Sequence, residues 1–238
     1  MPALRARPVP PSLTLLVACL ACEANGPGAP PFVETEDIAI CAPVAGAFST
    51  AITHPYFPMT PGHQLTLGGD DAGATVELIV TALPDTELVA GVWTRVVEEH
   101  ESADGALVEI SRNFFAQAGD GTVCYFGEDV DMYEAGVVVS HDGAWRAGLQ
   151  NALSGIFMPA APAEGMGFRQ EVAPGIAEDR VMITAVGTPV AVPMGSYTNT
   201  VRFVETSPLD PGATSRKVYV AGVGVVVDDI VRLTGVAP

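Results

Sequence analysis

Residues 74–81 read Ala-Thr-Val-Glu-Leu-Ile-Val-Thr, and the order of these side chains decides the fold class. In an extended chain Val76, Leu78 and Val80 project to one side, while mostly polar residues project to the other. This period of two is typical of a β-strand that buries one of its faces. The stretch therefore predicts a half-buried strand.

The same alternation recurs along the chain. Residues 107–115 set one apolar series against one polar series, namely Val108, Ile110 and Phe114 against Glu109, Ser111 and Asn113. Further strand-like runs occupy residues 89–99, 121–126, 135–140, 180–187, 198–206 and 215–227. Short turn signals such as Ala103-Asp-Gly separate the runs and favour antiparallel pairing. We predict a mostly β protein in which an antiparallel meander forms a curved half-barrel or open barrel with few short helices. Residues 143–156 and 174–180 are predicted to hold a short helix or a turn of helix.

Two segments share one plan, which predicts two related hairpin units. The first begins at Gly91 with Gly-Val-Trp-Thr and closes at Gly121 with Gly-Thr-Val-Cys-Tyr-Phe-Gly. The second begins at Gly195 with Gly-Ser-Tyr-Thr and closes at Gly222 with Gly-Val-Gly-Val-Val-Val. If the likeness is more than chance, the units form two halves of a curved sheet around one core.

The amino-terminal residues predict export. Residues 1–22 place Arg5 and Arg7 before a short apolar stretch, as in a secretory leader. Leu16-Val-Ala-Cys resembles the bacterial lipobox, so these residues are predicted to be a lipoprotein signal peptide that is lipidated at Cys19. Cys22 as the anchor, or an ordinary cleaved leader, are the alternatives.

The rest of the chain divides into a tether and one domain. Residues 23–40 are rich in Pro and Gly and are predicted to form a flexible tether. Residues 41–238 are predicted to form a single β domain. We expect the protein outside the cytoplasm, attached to the bacterial cell envelope through the lipid or secreted, with the membrane as its first partner.

Charge and cysteine content narrow the possible partners. The chain has 28 acidic and 11 basic residues and a formal net charge of −17. Such a surface repels phosphate backbones, which excludes nucleic acid as an expected partner. An exported chain meets oxidising conditions, so Cys41 and Cys124 can form a disulfide; two buried free thiols are the alternative.

Several short blocks resemble a family of uncharacterised bacterial secreted proteins and lipoproteins. His54 begins His-Pro-Tyr-Phe-Pro-Met-Thr-Pro-Gly, which is similar to the PYFPL-PG-W opening of that family, and Tyr219 begins Tyr-Val-Ala-Gly-Val-Gly-Val-Val. Between them stand Phe126-Gly-Glu-Asp, Gly143-Ala-Trp-Arg-Ala-Gly, Ile156-Phe-Met-Pro-Ala and Phe168-Arg-Gln-Glu-Val-Ala-Pro-Gly. The resemblance covers residues 54–228. It implies an open β half-barrel outside the cytoplasm, related to periplasmic lipoprotein half-barrels, and no particular reaction. Gln64 and Leu65 stand where that family often carries Trp, which puts an identical ligand in doubt.

Aromatic side chains are the candidate ligand-binding residues. A half-barrel that is not filled leaves an apolar pocket, the usual form of a small-ligand site, although the same rings could simply fill a core. The candidates are Trp93, Phe114, Tyr125, Phe168 and Tyr197.

An acidic run is the candidate metal site. Glu128, Asp129, Asp131 and Glu134 offer the oxygen ligands that Ca²⁺ prefers, but their spacing differs from that of an EF-hand. A solvated acidic turn is the alternative. His54 and His63 are a second possible pair of metal ligands. No cofactor other than Ca²⁺ is indicated.

Three functions stay open at this point. The first is an extracytoplasmic lipoprotein that binds a small apolar ligand, a lipid or an envelope protein on its curved sheet. The second is a carboxylate-dependent hydrolase, for which Glu98 with Glu109, or Glu171 with Glu178, are possible pairs. The third is a divalent-metal-binding protein. A pocket in which acidic side chains with raised pKa values converge would favour the second.

Overall fold

The computed structural model describes residues 28–44 and 46–237, and these fold almost entirely as antiparallel β-strands. The strands are β1 (Phe48–Ser49), β2 (Ile52–His54), β3 (Phe57–Met59), β4 (Gln64–Asp71), β5 (Ala74–Val89), β6 (Val92–Ala103), β7 (Ala106–Ala118), β8 (Val123–Glu134), β9 (Val137–Ser140) and β10 (Trp145–Arg146). They continue as β11 (Gly155–Met158), β12 (Gly167–Arg169), β13 (Arg180–Val186), β14 (Val190–Val192), β15 (Gly195–Tyr197), β16 (Thr200–Ser207), β17 (Asp210–Val220), β18 (Gly224–Asp228) and β19 (Val231–Ala237). The mostly β fold class is therefore confirmed.

One large curved sheet contains fifteen of these strands. Its main path runs in the order β10-β8-β7-β6-β5-β4-β19-β18-β17-β16-β13-β12, while β1 pairs with β7, and β9 and β11 pair with β8. The sheet is open, but its two edge regions touch where Leu153 N–H donates to the carbonyl of Val172 at 2.9 Å. A concave interior is the result.

The two segments with a shared plan form equivalent parts of the sheet. The first makes the three-stranded meander β6-β7-β8, and the second makes β16-β17-β18. These meanders are separated by β5, β4, β19 and so curve towards each other across the interior. They supply the two walls of the site described below.

Of the two alternatives predicted for residues 143–156 and 174–180, a short helix does not form, and both stretches contain turns. In the described part of the chain the one helical segment is a 3₁₀ turn at Ile38–Cys41. Among these residues there is no helix that is long and apolar enough to cross a membrane. Residues 143–156 instead form turns around β10, with Gln150 and Asn151 in left-handed conformations that interrupt any helix.

The carboxyl-terminal part of the predicted tether packs on the sheet. Thr35 N–H donates to the carbonyl of Gly167 at 2.8 Å, and Ile38 is buried in the core. Asp37 caps the 3₁₀ turn by accepting from Ala39 N–H at 2.9 Å. Residues 1–22 and the lipidation candidates Cys19 and Cys22 lie outside the described residues.

A disulfide joins the 3₁₀ turn to the sheet. Cys41 and Cys124 are bonded, with their Cα atoms 5.4 Å apart, and both are fully buried. The bridge spans 83 residues of sequence, which in the chain-entropy model corresponds to about 4 to 5 kcal/mol of stabilisation.

Candidate functional site

The interior of the curved sheet is lined by charged side chains rather than by apolar ones alone. A cavity of about 150 Å³ lies between the two meanders. Seven carboxyl groups and one amine from the described residues reach it, namely Glu99, Glu109, Glu128, Glu171, Asp179, Glu205, Asp228 and Lys217. This is the most unusual chemical feature of the described chain, and we take it as the candidate site.

The first wall comes from strand alternation on β6 and β7. Glu99 and Ser111 are paired in register on these strands, and Glu109, Ser111 and Asn113 project to the cavity with Phe115. The alternation predicted for residues 107–115 is therefore present, but its polar series faces inward. The other face is buried as well, because Arg146 lies over the ring of Phe114 at 4.4 Å.

A bulge in β8 completes this wall. Phe115 pairs with Tyr125 and Asn113 with Glu128, so two residues of β8, Phe126 and Gly127, stand against one of β7. The extra residue changes the alternation, and Tyr125 and Glu128 both line the cavity. The Tyr125 hydroxyl donates to Asn113 Oδ1 at 2.5 Å.

The second wall carries the amine. Lys217 on β17 pairs in register with Asp228 on β18, and its Nζ lies 3.5 Å from Asp228 Oδ2 and 3.4 Å from Glu205 Oε2. The Lys217 side chain is 24% exposed and that of Glu205 is 6% exposed. Lys217 is the single lysine of the sequence.

The segment that follows β12 adds the remaining polar groups. The N–H groups of Gln170 and Glu171 both donate to the Asp179 carbonyl, at 2.8 and 3.2 Å, which folds residues 170–179 back onto themselves. This fold brings the side chains of Gln170, Glu171 and Asp179 to the cavity. Gly155 on β11 permits the approach, since a Cβ there would stand 2.1 Å from the Gln170 carbonyl oxygen.

Aromatic rings form the floor of the cavity. Phe57, Phe115, Phe157, Tyr125 and Tyr219 line it together with Val80 and Val225. Phe115 stacks on Tyr125 with centroids 4.7 Å apart, and Phe157 lies 4.6 Å from Phe115. The site thus combines a ring of carboxyl groups with an aromatic base.

Burial raises the pKa of the glutamate carboxyl groups in the cavity. It raises the pKa of Glu99, Glu109 and Glu205 to about 7. It raises the pKa of Glu128 to about 8, with Glu109 and Glu99 adding to the shift. The pKa of Glu171 is raised for the same reason, with further contributions from Glu128 and Asp179.

Lys217 has the opposite balance. Burial lowers its pKa, but the charges of Asp228 and Glu205 outweigh burial and hold the pKa well above the usual range. The amine is therefore charged at neutral pH, and it neutralises only part of the acidic wall.

Three buried oxygen atoms of cavity-lining residues have no hydrogen-bond partner among the described residues. They are Oε1 of Glu205, a residue that is 5% exposed, Oε1 of Gln170, which is 6% exposed, and Oε2 of Glu109. A buried acceptor without a donor costs about 1–3 kcal/mol. Such atoms at the wall of a cavity are where a donor from a ligand would be stabilising.

Of the predicted ligand-binding residues, Tyr125 alone lines this cavity. Phe114 lies on the other face of β7, and Phe168 is buried against Phe203 with centroids 5.8 Å apart. Trp93 is 58% exposed near the start of β6, and Tyr197 belongs to the small β14–β15 hairpin. The structure does not bring these five rings together.

The predicted metal ligands are separated by the strand that carries them. Residues 128–134 form part of β8 and not a turn, so their side chains alternate between faces. Glu128 faces the cavity, while Asp129 pairs with Arg146 at 2.6 Å and Asp131 with Arg112 at 3.4 Å; Glu134 is exposed. Within residues 28–44 and 46–237 no three acidic, His or Cys side chains converge as a metal site.

The two histidines considered for metal binding make backbone contacts. His54 Nδ1 accepts from Tyr56 N–H at 3.2 Å, so its Nε2 donates to the Pro159 carbonyl at 3.0 Å. Burial lowers the pKa of His54. His63 Nε2 lies 2.8 Å from the Val223 carbonyl oxygen. Both rings serve the local structure.

Sequence reasoning named part of the carboxyl set but gave it other partners. Glu109 and Glu171 line the cavity, whereas Glu98 pairs with Arg112 on the outer face and Glu178 accepts from Gly175 N–H. It missed Glu99, Asp179, Glu205, Lys217 and Asp228. A usable signal was the single lysine of the sequence, which falls within the predicted strand over 215–227.

Comparison of the chain with protein-family models, with curated proteins and with solved structures finds no match. The family resemblance of residues 54–228 stays a prediction.

Proposed function

We propose that the protein is an extracytoplasmic binding protein that holds a small organic cation in the carboxyl-lined cavity. The observation that carries the proposal is the imbalance of seven carboxyl groups against one amine around one buried space. Placing several like charges together out of water is costly, and a bound cation offsets that cost. The partnerless oxygens of Glu109 and Gln170 supply acceptors for its N–H groups.

The size of the cavity limits the ligand. An engineered cavity of about 150 Å³ binds a molecule such as benzene, with six non-hydrogen atoms, whereas drug-sized ligands occupy about 300–1,000 Å³. The present volume of about 150 Å³ therefore favours a ligand of similar size over a lipid chain. The aromatic floor suits the alkyl part of such a ligand, and ring faces attract its cationic head.

The arrangement of the carboxyl groups favours an organic cation over a metal ion. They are distributed over β6, β7, β8, β16, β18 and the 170–179 segment, and Ca²⁺ requires six to eight oxygens at about 2.3–2.6 Å from one point. An alkylammonium needs only two or three acceptors around its nitrogen. The apolar ligand, lipid or envelope partner suggested by the sequence is less well matched to this lining.

Location outside the cytoplasm, with a lipid anchor at Cys19, is part of the proposal. It is supported by the leader-like residues 1–22 and by the buried Cys41–Cys124 disulfide, a bond that persists under oxidising conditions. Mass spectrometry of the protein from its native cell is expected to find a diacylated Cys19 as the first residue. An unmodified terminus elsewhere would remove the anchor from the proposal.

The binding proposal is tested with 1-aminobutane as the probe, at pH 8.5 to ionise most of the carboxyl groups. We expect titration calorimetry to detect binding of 1-aminobutane but not of 1-butanol, which matches its size without its charge. Glu128→Gln is expected to weaken binding about tenfold or more, and Glu134→Gln, on the exposed end of the same strand, to leave it unchanged. Equal binding of the alcohol, or tight binding of CaCl₂ with none of the amine, would contradict the proposal.

A hydrolase is the second candidate, and one observation favours it. Glu109 and Glu128 share the cavity, and their pKa values of about 7 and 8 allow one to be protonated while the other is ionised. Such a pair can act as general acid and general base. Turnover of a chromogenic ester or glycoside that is lost in both Glu109→Gln and Glu128→Gln would support this function over binding alone.

A further inference from the structure

We propose that Lys217 is a specificity-determining residue of the cavity, whose ammonium occupies one cation subsite and so restricts the ligand to a primary alkylammonium with a single positive charge. The inference rests on the proposed function, since it assigns the ligand class of the same site. Nothing in the fold requires an amine at this position for chain pairing, because the β17 backbone makes its ladder bonds independently of the side chain.

Two carboxyl groups form a subsite around the Lys217 ammonium. Lys217 Nζ is bound from two sides, by Glu205 Oε2 at 3.4 Å and Asp228 Oδ2 at 3.5 Å. These distances exceed the 2.7–2.9 Å that is usual for charge-assisted hydrogen bonds, so the pair of carboxyl groups holds the amine loosely. Glu205 Oε1, buried on the same side chain, has no partner among the described residues and is free to accept a further N–H.

The opposite wall of the cavity is acidic. Glu109 and Glu128 reach the cavity from β7 and β8, and the lining contains no basic side chain other than Lys217. Glu109 Oε2 is buried and has no hydrogen-bond partner in the described chain. The cation from solution is therefore bound at this wall, while the wall of β16–β18 already holds the cation that the chain itself supplies.

This arrangement favours a monoamine over a diamine as the ligand. A diamine of about six non-hydrogen atoms would have to place its second ammonium beside Lys217 in a cavity of about 150 Å³. Juxtaposed like charges in a binding site disfavour the complex, so Lys217 selects against dications. A monoamine of the same length meets only the aromatic floor at its far end.

The test compares 1-aminobutane with 1,4-diaminobutane on wild type, Lys217→Met and Lys217→Arg at pH 8.5. Wild type and Lys217→Arg are expected to prefer the monoamine. Lys217→Met, which is one atom shorter and removes the charge, is expected to bind the diamine at least about tenfold more tightly than wild type does. Lys217→Gln is a second neutral variant and is expected to behave in the same way.

The possible outcomes either support or overturn the role assigned to Lys217. If the neutral variants are unstable, 1,4-diaminobutane added during refolding should recover folded protein, and 1,4-butanediol should not. The inference is overturned if neither neutral variant gains affinity for the diamine or is recovered by it. Failure of 1-aminobutane to bind wild type would count against the proposed function. The role of Lys217 is tested separately, by whether its loss increases the affinity for the diamine.

Discussion

Tyr125 and Glu128 stand three residues apart on β8, yet both side chains line the same cavity. An unbroken strand would direct them to opposite faces, because successive side chains alternate. The bulge at Phe126 and Gly127 removes this conflict. The position of Glu128, the carboxyl group with the pKa of about 8, thus depends on one glycine.

Replacing that glycine should be strongly destabilising. Gly127 has φ +133°, and a Cβ at this position would stand 2.3 Å from the Trp145 carbonyl oxygen. We expect Gly127→Ala to lower the free energy of unfolding by about 2–4 kcal/mol, as judged by urea denaturation. The matched control is Gly136→Ala, at φ +78° in open space, for which strain alone should cost about 1 kcal/mol. Equal losses in the two variants would contradict this account of the bulge.

Stability should fall as the pH rises from about 5 to 8. Glu99, Glu109 and Glu205 have pKa values raised to about 7 by burial, so in this range the folded state holds protons that the unfolded chain has released. The stability that these groups contribute is complete below their unfolded pKa and is lost through the folded one. Each excess proton gives a slope of about −1.4 kcal/mol per pH unit.

The measurement is urea denaturation at several pH values, with and without 1-aminobutane. The amine should reduce the loss at pH 8, because it replaces the departing protons as the counter-charge. Glu128→Gln should flatten the curve above pH 7. A stability that stays constant between about pH 5 and 8 would show that these carboxyl groups ionise as ordinary surface groups.

Reduction of the disulfide should cost a large part of the stability. The bond between Cys41 and Cys124 closes a loop with a sequence separation of 83 residues, for which chain entropy gives about 4 to 5 kcal/mol. We expect the double variant Cys41→Ala/Cys124→Ala to unfold at a correspondingly lower urea concentration, and reduced wild type to behave similarly. Two free thiols on Ellman titration of the unfolded, unreduced protein would refute the bridge.

Arg146 should contribute more to stability than Arg112, although both are strand arginines with two acidic partners. Arg146 pairs with Asp129 at 2.6 Å and Glu87 at 3.1 Å and also covers the ring of Phe114. Arg112 is 39% exposed, and exposed ion pairs contribute about 0–1 kcal/mol. We expect Arg146→Met to cost about 1–2 kcal/mol and Arg112→Met less than half of that. The two should be compared by thermal unfolding at matched salt.

The strands and their pairing could be predicted because alternation is a local property of the sequence. Val76, Leu78 and Val80 face inward on β5 as expected, and the two segments that begin near Gly91 and Gly195 form equivalent meanders. The outer and inner faces of β7 could not be assigned in the same way. One face of β7 is covered by Arg146 over Phe114, and the other lines the cavity. An alternation of polar and apolar residues identifies the inward face only when the other face meets water.

The candidate site was harder to predict for a related reason. Its groups come from six strands and one loop, so the distance between Glu128 and Glu205 depends on the curvature of the sheet and not on sequence spacing. The bulge at Gly127 put Glu128 on the same face as Tyr125, and ordinary alternation along the rest of β8 then separated Glu128 from Asp129 and Asp131. The acidic run therefore looked like a single cluster but divides between two faces.

The confinement of the only lysine to the cavity has a practical consequence for chemical labelling. Acylating reagents such as N-hydroxysuccinimide esters modify primary amines, and Lys217 is the single side-chain amine that the sequence offers them. In the folded protein the rate at which Lys217 is acylated reports whether a ligand occupies the cavity, because a bound ligand shields the nitrogen. A mild denaturant exposes the nitrogen and increases the rate. One peptide in a tryptic digest would then report both occupancy and unfolding without any engineered probe.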